Sequence, residues 1–582
     1  MKKLSVIAIA DHREETLHQL QELGLLHVRP VEKPATATAA DAAERVRTAQ
    51  RALALVETAA HEHAATPPAH EDAAGDGATL VDRVLAMEAE RAALKEKHTQ
   101  LTQRLADLAV WGEFDPRRVG DLAAAGITVK LYVCTPQQMP EPPDGCAFEE
   151  VERTGHRVAF VAMSREPFTL PIPEIALPDA PPSALAAQAE DAAGAIARLT
   201  GGLAALNARA AAIRAHITQL ENDAARARAR DALAGVGTLV CLQGFCPVEA
   251  VPALERAAAA HGWGVLVEDP APGDDVPTLI RNPRWLRPIE VVFNFIDTFP
   301  GYTEKDISGV FYLFMSIFYA MLIGDAGYGM LYLAILLAIH VKLGRRAPTQ
   351  VFTLLYVFNV TCIIWGALTG SYFGIKLPAT SFLNNLIVLN PADTPMMMKL
   401  CFVIAAVHMT IAHGWNAVQM MNSWRGAAEA SWILVLWGAY FLANTLLLGK
   451  PFPPVMYWVS GGGIVLALVF SGTLVRPLEL LQFPFKVINF FGDTVSYLRL
   501  FAVGMASAAI AQAFNALAAG VDLPLALRIP LVLVLLVGGH ALNMVLGPLS
   551  VLVHGLRLNV LEFSSHLGQE WTGVKYDPLR RR

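Results

Sequence analysis

The sequence predicts an α-helical membrane domain of eight spans, its last two helices long and tilted, plus a cytoplasmic α/β two-lobed domain joined by an antiparallel coiled-coil hairpin. Three observations carry that prediction. Of the 582 residues 54% are hydrophobic and only 17% charged, a balance that places much of the chain in a bilayer. The charged, alanine-rich sequence lies almost wholly before Pro288, and long apolar runs fill the remainder of the chain. Heptads recur in the first half, between segments that alternate strand and helix patterns. Residues 1–287 are therefore expected to form a cytoplasmic stalk domain and residues 288–582 a membrane domain.

Composition also excludes functions. With a net charge of -6 and no basic stripe interleaved with aromatics, the chain is not expected to bind nucleic acid. Cys134, Cys146, Cys241, Cys246, Cys362 and Cys401 are too scattered for a disulfide framework and read as free thiols in a reducing compartment. No GxxxxGK[ST] phosphate loop occurs, so neither nucleotide binding of that kind nor any other cofactor is expected. The apolar run before Asp11 is too short for a secretory signal, which leaves the first half in the cytoplasm.

Leu4 to Ile9 reads as a strand, Glu14 to Leu23 as a helix closed by Gly24, and Leu26 to Val31 as a second strand. A matching set comes two hundred residues later: Thr238 to Leu242 and Gly264 to Glu268 as strands, Val248 to His261 as a helix. The two sets form one proximal lobe, residues 1–35 and 236–287. Leu80, Met87, Leu94, Leu101 and Leu108 recur every seventh residue, with Val84 and Leu105 in the alternate core position and Arg91 and His98 interrupting it. Leu185, Ala192, Leu199, Leu206, Ile213 and Leu220 form a second seam beside Ile196, Leu203, Ala210 and Ile217. These give coiled-coil arms at 36–112 and 183–235, the first extended by a helix over Ala39 to His63 and bent at Thr66 to Gly77, the second started by Ser183 as N-cap. Strands around Ile127 to Thr135 and Thr154 to Ser164 give a distal lobe, 113–182.

After Pro288, apolar runs near 308–324, 325–342, 351–373, 398–420, 430–449, 455–475, 486–520 and 527–566 compare with the ~20 residues a helix needs to cross a bilayer. An even count puts both termini on one side. Arg281, Arg284, Arg287, Lys342, Arg345, Arg346, Arg425, Arg476, Lys486 and Arg580 to Arg582 fall on the side expected to be cytoplasmic. Lys376, Lys399, Lys450 and Arg528 do not. The last two runs exceed the ~30 Å core, and Gly547 with Pro548 predicts a kink.

Those two runs carry one arginine each, Arg499 and Arg557, where a central guanidinium costs at least ~2.5 kcal/mol. Either both snorkel to the headgroups or they serve a charged partner. Ser507 and Gln512 share a broad polar stripe with Arg499, open to ordinary interhelical hydrogen bonding. His540, Asn543, His554, Asn559 and Glu562 crowd the last run and suggest a wet path. Glu562 can pair with Lys575 or Arg557, or relay protons. His408 and His413, five apart and without an accompanying carboxylate, are not expected to hold a metal.

SYLRLFAVGMA (Ser496 to Ala506), HGLRLNVLEF (His554 to Phe563), GDAGYGM (Gly324 to Met330), GSYFG (Gly370 to Gly374), GYTEKD (Gly301 to Asp306) and LGLLHV (Leu23 to Val28) resemble subunit a, also called subunit I, of V-type and A-type rotary ATPases, and the resemblance covers essentially the whole chain. It implies a non-catalytic stator in the cell inner membrane. Arg499 and Arg557 would face a rotating proteolipid ring (subunit c/K), with half-channels lined by Asp493, Ser496, Ser507, Gln512, His540, Asn543, His554, Asn559 and Glu562. A guanidinium favours the charged form of a ring carboxylate by ~1 to 3 pK units and itself stays protonated. The implied partners are that ring, peripheral stalk subunits, the central-stalk connecting subunit, the soluble ATPase sector and membrane lipid. Ser507 stands where some members have histidine, and EFSSH (Glu562 to His566) replaces an EFFSKF-like ending. H⁺ and Na⁺ remain open, as do two other classes: a secondary transporter or channel with a regulatory coil, and a scaffold without a transport path.

Overall fold

A computed structural model describes residues 1–29, 37–62, 76–344, 348–375, 381–472, 474 and 476–581. Most of the expected Thr66 to Gly77 bend, together with Arg345, Arg346, Lys376 and Arg582, lies outside them. Two compact units emerge: Lys2–Asp269 with Pro578–Arg582, and Pro270–Asp577 with Met1. The break between the compact units falls at Pro270. The physical reason is pairing: Thr278 N–H donates to Val574 O (2.7 Å) and Tyr576 N–H to Thr278 O (3.0 Å), which tie the intervening stretch to the C-terminal segment.

In the first unit, β1 (Lys2–Ile9), α1 (Arg13–Leu23) and β2 (His27–Val28) open the chain. Gly24 ends α1 in the left-handed region at φ 64° and its N–H caps Leu20 O. The second strand is far shorter than Leu26 to Val31. The two helices α2 (Ala37–Glu62) and α3 (Gly77–Leu108) follow, then α4 (Pro116–Ala124), the strands β3 (Thr128–Cys134), β4 (Cys146–Arg153), β5 (Val158–Ser164) and β6 (Glu174–Ile175), and the helices α5 (Pro182–Ala205) and α6 (Ala210–Asp231). The unit closes with β7 (Leu233–Val236), β8 (Leu239–Cys246), α7 (Val251–His261) and β9 (Gly264–Glu268).

The sheet order β2-β8-β1-β9, antiparallel throughout, is that of a ferredoxin-like split βαβ pair. The helices and the second sheet are an insertion between its second and third strands. Leu4, Val6 and Ala8 point inward from β1 at alternate positions and meet Leu17 and Leu20 of α1 and Leu254 of α7. The inserted sheet runs β4-β5-β3-β6, with Tyr132 and Phe160 stacked in its core.

Between the sheets, α3 lies along α5 and α2 along α6. Leu80 and Val84 of α3 are buried with Leu203, Ile213, Ile217 and Leu220 of the second arm, and Leu108 is buried at the end of α3. Arg91, on the same seam, is buried too, its guanidinium 2.7 Å from Glu88. The second arm is not one continuous helix: a 3-10 turn at Leu206–Arg209 divides it. Ser183 is not the N-cap of α5. Pro181 takes that position, and Ser183 instead donates through Oγ to Glu113 Oε1 (2.5 Å) and through its N–H to Glu113 Oε2 (3.1 Å).

The second unit is helical: α8 (Glu290–Phe295), α9 (Ser308–Ile323), α10 (Ala326–Leu343), α11 (Thr349–Thr369), α12 (Thr394–Gln419), α13 (Trp424–Leu448), α14 (Pro454–Phe470), α15 (Pro477–Ser496), α16 (Leu498–Ala519), α17 (Leu525–Ser550) and α18 (Ser564–Leu567). Among the described residues, five helical elements are long and apolar enough to cross a membrane: α11, α12, α13, and the two continuous 43-residue elements Pro477–Ala519 and Leu525–Leu567. That is fewer than eight. The pair α9 and α10 bends by 114° at Gly324 and Asp325 and counts at most as one further span. At 16 and 18 residues neither helix alone reaches ~30 Å at ~1.5 Å per residue. The other shortfall is α14, with 17 residues.

Nearly every face of α9 is buried, and Phe311, Phe318 and Leu322 sit at the centre of the unit's core with Cys362, Ala405, Leu436, Tyr497 and Phe563. Burial differs sharply across the unit. The most apolar windows of α11, α12 and α13 are 33%, 44% and 50% buried, those of the two long elements 11% each, so the long elements leave most of their apolar side chains uncovered.

Candidate functional site

The last long element changes pitch where its polar residues crowd. Pro548 lies inside α17 and has no N–H for Met544 O; the Tyr332 hydroxyl donates to that carbonyl instead, at 2.6 Å. Two π-helical turns follow, Val551–Gly555 and Leu558–Phe563. Ser564 Oγ donates to Asn559 O (2.9 Å) and Trp571 Nε1 to Val560 O (3.2 Å), which helps satisfy the loosened backbone.

That pitch sets the site. In an α-helix residues five apart diverge by ~140°, whereas a π turn aligns them. Glu562 therefore comes under Arg557, with Arg557 Nε donating to Glu562 Oε1 at 3.4 Å. Arg499, from the start of α16, reaches the same oxygen at 3.8 Å. Arg499 is oriented by Ser496 at the end of α15: Nε donates to Ser496 O (2.8 Å) and Nη2 to Ser496 Oγ (3.3 Å). Glu562 is 5% exposed, and its Oε2 has no partner among the described residues. The Arg499 side chain is 23% exposed and that of Arg557 53%. Two guanidiniums around one carboxylate leave an excess of positive charge at an open apolar surface, whether or not Glu562 is ionised. Lys575 takes no part, since its ammonium donates to Asn294 Oδ1 at 2.5 Å.

The other expected residues separate into groups. Ser507 and Asn543 pair twice across α16 and α17: Ser507 Oγ donates to Asn543 Oδ1 (2.9 Å) and Asn543 Nδ2 to Ser507 O (3.0 Å). His540 lies between Tyr328 OH (2.6 Å from Nδ1) and Asn515 Oδ1 (3.2 Å from Nε2). His554 is half-buried, three residues before Arg557. Asn559 is fully buried and bonds Gly555 O at 3.3 Å. Gln512 stands apart, exposed on the rim of a cavity of about 430 Å³ between α16 and the Gly370 to Ile375 turn.

Asp493, one turn before Ser496, accepts from neither arginine; its Oδ2 lies 3.0 Å from His566 Nε2. His566 Nδ1 in turn lies 3.0 Å from His413 Nε2, and His413 Nδ1 lies 2.7 Å from Glu429 Oε2. A carboxylate does accompany His413, contrary to the sequence reading, because Glu429 comes from the next helix. His408 has a different setting: it is fully buried, bonded to Tyr497 OH (2.7 Å) and sandwiched between the rings of Phe314 and Phe563.

A bundle of apolar helices that gathers arginines, carboxylates and histidines inside itself defines a membrane protein with an ionic interior. No family model matches the chain. Among known proteins, V-type ATP synthase subunit I 1 of Treponema pallidum is 31% identical over 631 residues, spanning 100% of this chain and 99% of that one. This chain belongs to the V-type ATP synthase subunit I family. V-type ATP synthase subunit I of Borreliella burgdorferi is 34% identical over 365 residues, 58% of this chain and 60% of its own length. A-type ATP synthase subunit I of Methanocaldococcus jannaschii is 25% identical, covering 56% and 52%. A crystal structure of the cytoplasmic N-terminal domain of subunit I, homolog of subunit a, of V-ATPase matches at 17% identity over 46% of this chain and 100% of that chain, with a TM-score of 0.20.

Proposed function

We propose that the chain is the stator subunit of the membrane sector of a V/A-type rotary ATPase, coupling ion movement through two half-channels to rotation of a proteolipid ring. The observation that carries this is the net positive charge left by Arg499 and Arg557 around Glu562. A neutral ring carboxylate arriving from lipid gives up its ion beside that charge, because the nearby guanidinium favours the ionised form. Arginine keeps its proton throughout, so the two half-channels stay electrically separated. The subunit itself catalyses no covalent step; nucleotide chemistry belongs to the soluble ATPase sector.

Under this reading residues 1–287 are the cytoplasmic stalk domain, an antiparallel hairpin with a lobe at each end that engages peripheral stalk subunits. Residues 288–582 are the inner-membrane domain, crossing eight times if α9, α10 and α14 count as spans with both termini cytoplasmic. The central-stalk connecting subunit and the ring complete the contacts, and the uncovered apolar faces of the long elements meet the ring and lipid. The half-channels draw on the two polar groups that flank the arginines, Ser507 with Asn543 and His540 on one side, Asp493 on the other.

The test is ATP-driven ion uptake by reconstituted complexes. Arg499→Ala and Arg499→Lys should both abolish uptake while the complex still assembles with its carboxylate-bearing ring; full uptake in either assembled variant would sink the role of Arg499.

A further inference from the structure

Four side chains from four helices form one buried line. Glu429 of α13, His413 of α12, His566 of α18 and Asp493 of α15 are joined by contacts of 2.7, 3.0 and 3.0 Å. The two imidazoles are 6% exposed each, whereas the end carboxylates are 23% and 29% exposed. The middle is buried and both ends are partly exposed. Phe490 walls the line, stacked on His413 (centroids 5.3 Å apart) and edge-on to His566 (4.6 Å). Asn416, one turn after His413, fixes both sides, donating through Nδ2 to Glu429 Oε2 (3.4 Å) and His566 O (3.2 Å). Lys305 donates to Asn416 Oδ1 and brings a positive charge to the Glu429 end.

Counting protons gives the line its character. Three hydrogen bonds join four groups, and each bond holds one proton. Two neutral imidazoles supply two N–H protons and ionised carboxylates supply none. With both carboxylates ionised, a third proton on the line makes one imidazole an imidazolium, and its position between His413 Nε2 and His566 Nδ1 decides which one.

We infer that Glu429, His413, His566 and Asp493 form a proton relay that stores one proton on its imidazole pair and passes it between Glu429 and the Arg499 site, so that the ion this chain moves is H⁺. The inference rests on the stator reading and adds a path and an ion to it. Moving the central proton from His413 Nε2 to His566 Nδ1 carries the positive charge from the Glu429 side to the Asp493 side. The Nε2 proton of His566 then passes to Asp493 Oδ2, one turn from the Ser496 that orients Arg499. Once the imidazoles reset their tautomers, a proton entering at Glu429 replaces the one released at Asp493. One proton enters, one leaves, and no other bond changes. Na⁺ finds no such route, since imidazole nitrogens engaged in N–H bonds offer it no ligands.

The test uses the whole complex in proteoliposomes. His413→Gln and His566→Gln should each lower ATP-driven acidification by about tenfold or more, with the ring still bound. Undiminished acidification in either assembled variant, or uptake of labelled Na⁺ in place of protons by the wild type, overturns the relay. Because these variants can lose helix packing, a second measurement uses the unaltered complex with ¹⁵N-histidine. One imidazolium should be seen at the pH at which the complex pumps and vanish from the spectrum of His566→Gln. Only neutral imidazoles at that pH would overturn the inference. The Arg499→Ala complex separates the two ideas: uptake surviving there refutes the stator reading, whereas the imidazolium signal reports on the relay alone.

Discussion

Asp325 shows how much one side chain can hold in this bundle. It is 2% exposed, and its two carboxylate oxygens accept from Tyr328 N–H (3.1 Å), Phe373 N–H (2.9 Å), Gly374 N–H (3.2 Å) and Ser371 Oγ (2.8 Å). It thereby caps α10 and clasps the turn after α11. Asp325→Ala removes a cap worth about 1 kcal/mol and strands three partly buried donors at ~1 kcal/mol or more each. The expected loss exceeds about 3 kcal/mol, seen as protease-sensitive chain in membranes at temperatures where the wild type is intact; Asp325→Asn, which keeps one acceptor, should fall between them. Wild-type resistance in Asp325→Ala would show the clasp to be dispensable. The clasp is only half legible in the sequence. GDAGYGM and GSYFG stand out as motifs, but nothing in their spacing says that the carboxylate of one binds the backbone of the other. The same holds at the arginines. Arg499, Arg557 and Glu562 are visible as costly charges in apolar runs, yet α-helical periodicity separates Arg557 from Glu562, and only the π turns bring them together. The pairing of His413 with Glu429 escapes a sequence reading because each looks ordinary on its own helix; the available signal is a histidine and an asparagine three apart, His413 and Asn416, facing the next helix.

At the scale of elements, close approach is set by glycine. A Cβ on Gly366 of α11 would lie 2.0 Å from Ala326 N and 2.7 Å from Ala326 Cα, backbone that cannot give way without moving the start of α10. Gly414 of α12 meets nothing within 4 Å. Gly366→Ala should therefore lower the yield of folded chain sharply, an overpacking cost of ~1–3 kcal/mol or more. Gly414→Ala should be neutral or stabilising by up to ~1 kcal/mol, the helix preference for alanine. Detergent-resistant yield and thermal aggregation of the two variants check this, and equal behaviour would mean that the α10–α11 crossing is not a tight contact. The strand and helix patterns of the first unit are readable because their apolar alternation reports directly on burial, as in Leu4, Val6 and Ala8. The order of the strands is not readable, since register between segments two hundred residues apart leaves no local trace. Eight apolar runs and five long apolar helical elements among the described residues differ for a related reason: hydropathy counts apolar residues and cannot see that α9 is wrapped by protein on nearly every side or that α10 turns away from it by 114°.

At the scale of the whole chain, the last residues complete the first unit's core. Leu579 is 6% exposed among Leu4, Leu20 and Leu26, its N–H donates to Leu26 O (2.8 Å), and Arg581 N–H donates to Gln21 O (3.0 Å). These contacts extend the edge beside β2, the shortest strand pairing in that sheet, so the C-terminal tail compensates for a strand of only two residues. Burying a leucine contributes ~1.5–3 kcal/mol, and two backbone hydrogen bonds add about 1 kcal/mol each. Truncation after Asp577 removes all of this at once. Amide exchange over Leu20 to Val28 should then accelerate by about a hundredfold or more, the factor that ~3 kcal/mol represents for local opening. Exchange in the inserted sheet, whose core of Tyr132 and Phe160 contains no part of the tail, should stay as in the full chain. If exchange rises equally in both sheets, the tail supports the unit globally rather than this edge. If it rises in neither, Leu579 contributes nothing to the fold despite its burial. In the predicted case the chain's two ends are closed into one core, so Leu579→Asp should reproduce the truncation at the same amides without shortening the protein.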